Sequence, residues 1–167
     1  LIEHPPILQN HRAIFGAQIQ LLQYDLLRQE PHQEGPLRSW HRDFSFPGDH
    51  PLSINTIVYL DEMSHEKGPT HVLPGSHRSW RQPPTEDERN QPLEGEVAIL
   101  TEPGDAAFIN SAIWHSGGIN RSAGLRRGIY LYYGHWWLKR YEWQQAIPWQ
   151  ALENADEQRL QLLGMRQ

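Results

Sequence analysis

Three Pro-Gly pairs, at 47-48, 74-75 and 103-104, cut the middle of this chain into short pieces. Each pair is a turn signal that no long helix crosses. The runs between them are rich in β-branched and aromatic residues, most clearly Ser53 to Leu60 (SINTIVYL) and Arg127 to Tyr133 (RGIYLYY), and read as strands. Shorter strands are expected at Gly68 to Leu73, Glu96 to Leu100, Ala106 to Ile109 and Ile113 to Ser116, with Ala17 to Leu27 β-like. Pro5 to Phe15 reads as a helix with Ile7, Leu8, His11, Ile14 and Phe15 on one face and Gly16 as its stop. A second helix is expected over Pro148 to Leu163, ahead of Gly164, and a polar surface loop over Arg81 to Pro92. Short strands, frequent turns and a helix at each end point to a mainly β domain, a small sandwich or jelly roll.

Composition narrows the function. The 167 residues suffice for one domain with a core. With 20 Asp+Glu against 15 Lys+Arg and no basic run, a nucleic-acid partner has no electrostatic footprint. No apolar stretch has membrane-spanning length, and no signal peptide is present, which points to no membrane partner and a cytoplasmic location. Zero cysteines exclude disulfides, thiolate metal sites and a Cys nucleophile. Oligomeric state is left open.

The chemistry-bearing segment is His41-Arg42-Asp43. Residues two apart on a strand share a face, so His41 and Asp43 offer two ligands to one metal, with Arg42 as the spacer. A distal histidine, His115, stands after an apolar run and Trp114 and before Gly117-Gly118. Two histidines and one carboxylate hold non-heme Fe(II) on one side and leave the other open. The same donors suit zinc. The triplet His-Arg-Asp is not a kinase catalytic loop, because Gly48 stands where that loop has Asn.

Several stretches together resemble the phytanoyl-CoA dioxygenase family of Fe(II)/2-oxoglutarate oxygenases. They are Trp40-His41-Arg42-Asp43, then Gly68-Pro69-Thr70-His71-Val72-Leu73-Pro74-Gly75-Ser76-His77, then Pro103-Gly104-Asp105 leading to Trp114-His115-Ser116-Gly117-Gly118, and Arg126-Arg127. The resemblance implies a double-stranded β-helix (a jelly roll, cupin-like) with flanking helices. It implies a single oxygenase domain over residues 1–167 that lacks N-terminal helices of the family. His41, Asp43 and His115 would be the iron ligands. Arg126, at the family's position eleven residues after the distal histidine, would grip the distal carboxylate of 2-oxoglutarate, with Arg127 and Arg121 as competitors. Tyr59 matches a position where the family often has an aromatic near the cosubstrate, and Tyr24 is the second candidate for that pocket. The family's Ser or Thr two positions after the distal histidine is Gly117 here, with a hydroxyl beside it at Ser116. His77 is read as a loop-fixing residue with Ser76. The implied activity is hydroxylation of a small molecule, with Fe(II), 2-oxoglutarate and O2 consumed or bound and succinate and CO2 released. Asp43 separates it from related halogenases, which have a small residue there. The rival readings are a cupin-type zinc hydrolase or isomerase and a catalytically silent jelly-roll binding protein.

Overall fold

The computed structural model describes residues 1–44, 46–78, 85–140 and 146–165. Helix α1 spans Pro5–Phe15, with Pro5 in the first turn, where no backbone N–H is needed. Gly16, at φ +87°, ends it, and its N–H bonds to the Arg12 carbonyl. Ile7, Leu8 and His11 are buried, whereas Ile14, expected on the same face, is 47% exposed.

Seven strands follow: β1 (Ile19–Gln29), β2 (Ser53–Tyr59), β3 (Thr70–Val72), β4 (Val97–Ile99), β5 (Ala106–Asn110), β6 (His115–Gly117) and β7 (Arg126–His135). They form an antiparallel sheet of order β1-β7-β2-β5 and a smaller one of order β4-β3-β6. Strand β2 lies inside the larger sheet and is buried at every position, which explains its unbroken apolar and β-branched character.

The larger sheet has two apolar faces. Its outer face meets α1 and the C-terminal helix through Ile7, Leu8, Ile19, Leu21, Val58, Leu131, Tyr133 and Leu162. Its inner face meets the smaller sheet through Ile57, Tyr59, Met63 and Ile109, with Val72 and Ile99 opposite. Two sheets closing on a shared core, strands running antiparallel throughout, make a jelly roll.

Three local expectations change. The single tail helix is two: α3 (Trp149–Leu152) and α4 (Glu157–Leu162). Asn154 is left-handed at φ 55°, and Asp156 then caps α4 by accepting from the Arg159 N–H. Within the expected loop, residues 81–84 lie outside the described residues, and Glu86–Arg89 form one helical turn, α2, under a Thr85–Glu88 capping box. The strand expected from Ile113 starts at His115. Among the described residues no helix is long and apolar enough to cross a membrane.

Candidate metal centre

His41 is not inside a strand. It makes a lone antiparallel bridge to His115, each residue's N–H bonding to the other's carbonyl at 3.0 Å. Two residues paired this way present side chains to the same face, so the imidazoles stand together, ring centroids 4.3 Å apart. Asp43 is held from the next residue, where the Phe44 N–H bonds to the Ser111 carbonyl. Its Oδ1 lies 3.6 Å from His115 Nε2 and 3.8 Å from His41 Nε2. One donor atom from each of the three residues falls within 4.8 Å of the others.

The surroundings settle which atoms face inward. His41 Nδ1 lies 2.8 Å from the Ser39 carbonyl oxygen and His115 Nδ1 lies 3.0 Å from that of Ile113. A carbonyl only accepts, so both Nδ1 atoms carry the proton and both Nε2 atoms offer a lone pair. Burial pushes the Asp43 carboxyl above its usual range, with the two histidines pulling the other way. Burial likewise lowers His115, opposed by Asp43. Asp43 Oδ2 is buried without a hydrogen-bond partner among the described residues. A divalent cation would satisfy this arrangement of two lone pairs and a desolvated carboxylate.

The His41 and His115 segments are tied together by the Pro74-Gly75-Ser76-His77 loop. Ser76 Oγ accepts from the Trp114 N–H at 2.8 Å, the Ser76 carbonyl accepts from Arg42, and the His77 carbonyl accepts from the Gly48 N–H. Arg42 also stacks over the Trp114 ring at 4.8 Å. Arg42 is therefore a tie between the His41 and His115 segments, beyond the spacer expected of it. Gly68 and Gly118 pack backbone on backbone, because a Cβ on Gly68 would sit 2.4 Å from the Ile119 carbonyl oxygen.

His41 and His115 open onto a cavity of about 280 Å³, whose lining includes Leu27, Gln29, Ser39, Asn55, Thr70, Gly117, Arg126, Tyr130 and Tyr132. Arg126 is 3% exposed. Its guanidinium makes one long bond to the Gly118 carbonyl at 3.5 Å, and no carboxylate among the described residues pairs with it. Arg127, on the opposite face, forms a two-point pair with Asp61 at the surface, which holds the Asp61 carboxyl below its usual range. Tyr59 fills the inter-sheet core, its hydroxyl donating to Thr70 Oγ1 at 3.0 Å, and burial pushes it up to about 12. It reaches the cavity through Thr70.

Tyr24 does not join this group. It packs with the outer cluster, next to Leu21 and Leu131. The reason is a bulge between Leu21 and Gln23 that leaves Leu22 unmatched. Simple alternation from Gln20 and Leu22 aims Tyr24 inward, and the extra residue turns it outward while bringing Leu27 and Gln29 into the cavity. Ser116 is fully buried and accepts from the Ser39 N–H at 2.7 Å, so its hydroxyl positions the chain before His41. The tie made by Arg42 had no signal in the sequence, whereas the loop-fixing role of Ser76 did, through its Pro-Gly-Ser turn.

A jelly roll presenting two imidazoles and a carboxylate beside a buried arginine is a fold with a candidate metal site. Residues 1–128 match the phytanoyl-CoA dioxygenase (PhyH) family, and the chain belongs to it. It is 32% identical over 132 residues to the dioxygenase andF of Emericella variicolor, covering 78% of this chain and 42% of that protein. It is 30% identical over 143 residues to the iron/alpha-ketoglutarate-dependent dioxygenase penM of Penicillium thymicola, covering 78% and 43%. The chain thus spans less than half the length of these curated relatives. HygX of Streptomyces hygroscopicus, solved with nickel and 2-oxoglutarate bound, superposes with a TM-score of 0.69 at 18% identity, over 84% of this chain and 68% of that one. That likeness shows the shared jelly-roll fold.

Proposed function

We propose that the protein is an Fe(II)- and 2-oxoglutarate-dependent dioxygenase that hydroxylates a C–H bond of a small molecule, with release of succinate and CO2. The observation that carries this reading is Arg126. A buried guanidinium without a carboxylate partner, in the cavity onto which His41 and His115 open, calls for an anionic ligand beside the metal. Hydrolysis at a zinc site needs no 2-oxo acid clamp.

In this reading His41 Nε2, His115 Nε2 and Asp43 hold the iron, and Arg126 takes the far carboxylate of the oxo acid. Thr70, braced by Tyr59, shapes the wall between them. Iron held there would activate O2, the oxidant, with the oxo acid supplying two of the four electrons as it becomes succinate and CO2 and the C–H bond supplying the other two. The residues around them fix both imidazole orientations, neutralise the dicarboxylate and enclose the reacting groups. The relative named L-proline trans-4-hydroxylase, from Streptomyces griseoviridis, supports a small-molecule substrate. Asp43 supports hydroxylation over halogenation.

The test is anaerobic titration of the Fe(II)-loaded protein with 2-oxoglutarate, followed by a weak visible charge-transfer band. Asp43→Ala should lose the band and substrate-dependent succinate. Arg126→Ala should keep the metal and bind 2-oxoglutarate on the order of tenfold to a hundredfold more weakly. Unchanged cosubstrate affinity in Arg126→Ala, with Arg127→Ala damaged instead, would move the role to the other arginine.

A further inference from the structure

Strand β5 ends at Asn110, opposite Ile54 on β2, and β6 begins at His115. Between them the chain crosses from the larger sheet to the smaller one through a turn, Asn110 to Ile113. The Ile113 N–H closes it on the Asn110 carbonyl at 2.9 Å. Inside it, the Asn110 carboxamide oxygen accepts from the Ala112 N–H, also at 2.9 Å. Asn makes this bond to the backbone two residues on because its short side chain ends in an acceptor at the right reach.

The Ala112 N–H and the Ser111 carbonyl are the two ends of one planar peptide unit, so fixing one end aims the other. That carbonyl accepts from the Phe44 N–H at 2.9 Å. The Phe44 N–H in turn shares its peptide unit with the Asp43 carbonyl, so the bond fixes the backbone from which the Asp43 carboxylate projects. Ser111 itself is 1% exposed, and its N–H is anchored to the Ser53 carbonyl at 3.1 Å. The His115 segment carries the same device. There Ser76 Oγ holds the Trp114 N–H, and the Ile113 carbonyl at the other end of that peptide unit lies 3.0 Å from His115 Nδ1. One side-chain oxygen thus stands behind the imidazole and another behind the carboxylate.

We propose that Asn110 is a positioning residue for Asp43: its carboxamide oxygen sets the Ser111–Ala112 peptide, and through it the aim of the carboxylate at the metal. The inference rests on the metal reading of His41, Asp43 and His115. Asn110 touches no ligand side chain and acts through the backbone alone.

The test measures Ni(II) affinity by calorimetry and metal-free melting, in wild type and four single variants. Asn110→Ala should bind Ni(II) roughly tenfold more weakly. Asn110→Gly, which lets water reach the freed N–H, takes its place if Asn110→Ala does not fold. Asn110→Ser restores a neutral acceptor of shorter reach and should bind more tightly than Asn110→Ala. Asp156→Ala removes the cap of α4, and should melt lower with unchanged Ni(II) affinity. Asp43→Ala keeps the two imidazoles, and adding Asn110→Ala to it should cost no further Ni(II) affinity, because the group being aimed is gone. Wild-type affinity in Asn110→Ala would overturn the role of Asn110 and leave the oxygenase reading standing. So would Asn110→Ser binding no better than Asn110→Ala, an equal loss in Asp156→Ala, or an undiminished loss in the Asp43→Ala background. A wild type that binds no Ni(II) would overturn both.

Discussion

A Cβ built on Gly117 would lie 3.8 and 3.9 Å from the two terminal nitrogens of Arg126, which is ordinary contact distance. The position that other family members fill with a hydroxyl is thus open beside the guanidinium. Gly117→Ser should tighten 2-oxoglutarate binding roughly fivefold by adding one hydrogen bond to the same carboxylate. Titration of the charge-transfer band checks it, and weaker binding would show that the gap serves another group. At this scale the sequence was legible wherever placement follows from residue type and local spacing. His41, Asp43 and His115 are close in space as expected, and Arg126 faces the cavity while Arg127 does not. Ser76 and Arg42 were less legible for the opposite reason. What they tie together depends on which strands or loops lie across from them, and nothing near them in sequence announces that.

Among elements, α1 shows how a polar residue is built into a hydrophobic seam. His11 is fully buried, its Nε2 2.7 Å from Thr56 Oγ1 on β2, between the rings of Phe15, Phe108 and Tyr133. Burial lowers its pKa from 6.5 to about 4, so the folded protein keeps it neutral. Between those values the unfolded chain binds the extra proton, and stability falls as pH falls through that window, by up to about 3 kcal/mol. Urea unfolding at pH 7 and pH 4.5 should show the loss, and His11→Gln should flatten it. A variant with the same pH dependence as wild type would place the sensitivity elsewhere. The limits of α1 were readable because Pro5 and Gly16 are chemical punctuation. The face of Tyr24 was not, because a bulge has no residue type of its own and depends on pairing with β7. The tail divides at Asn154 for a similar reason, since its helical periodicity continues across the break.

For the whole molecule, the three candidate metal ligands belong to segments that only tertiary structure joins, and the Ser76 loop is the fastening. Metal at 100 times its dissociation constant should raise stability by about 2.7 kcal/mol, and a chelator should remove the gain. Ser76→Ala leaves the Trp114 N–H unbonded in a buried place, costing roughly 1–3 kcal/mol. It should also weaken metal binding on the order of tenfold to a hundredfold. Melting curves with and without Fe(II) separate the two effects, and a variant with undiminished metal-induced stabilisation would assign Ser76 to the loop alone. The jelly roll was legible as a class from its turns and strand composition. The order of strands in each sheet was not, because pairing partners come from distant parts of the chain.

The bridge between His41 and His115 has a consequence for how an ion would reach the site. The two histidines are brought together by a contact between remote stretches, which forms late when a chain organises itself. An extended chain can offer His41 and Asp43 as a pair, but the third donor, His115, joins them only in the fold. The His41 side chain is half exposed, whereas those of His115 and Asp43 are 6% and 10% exposed. An arriving cation therefore meets His41 first, and the same doorway lets it escape.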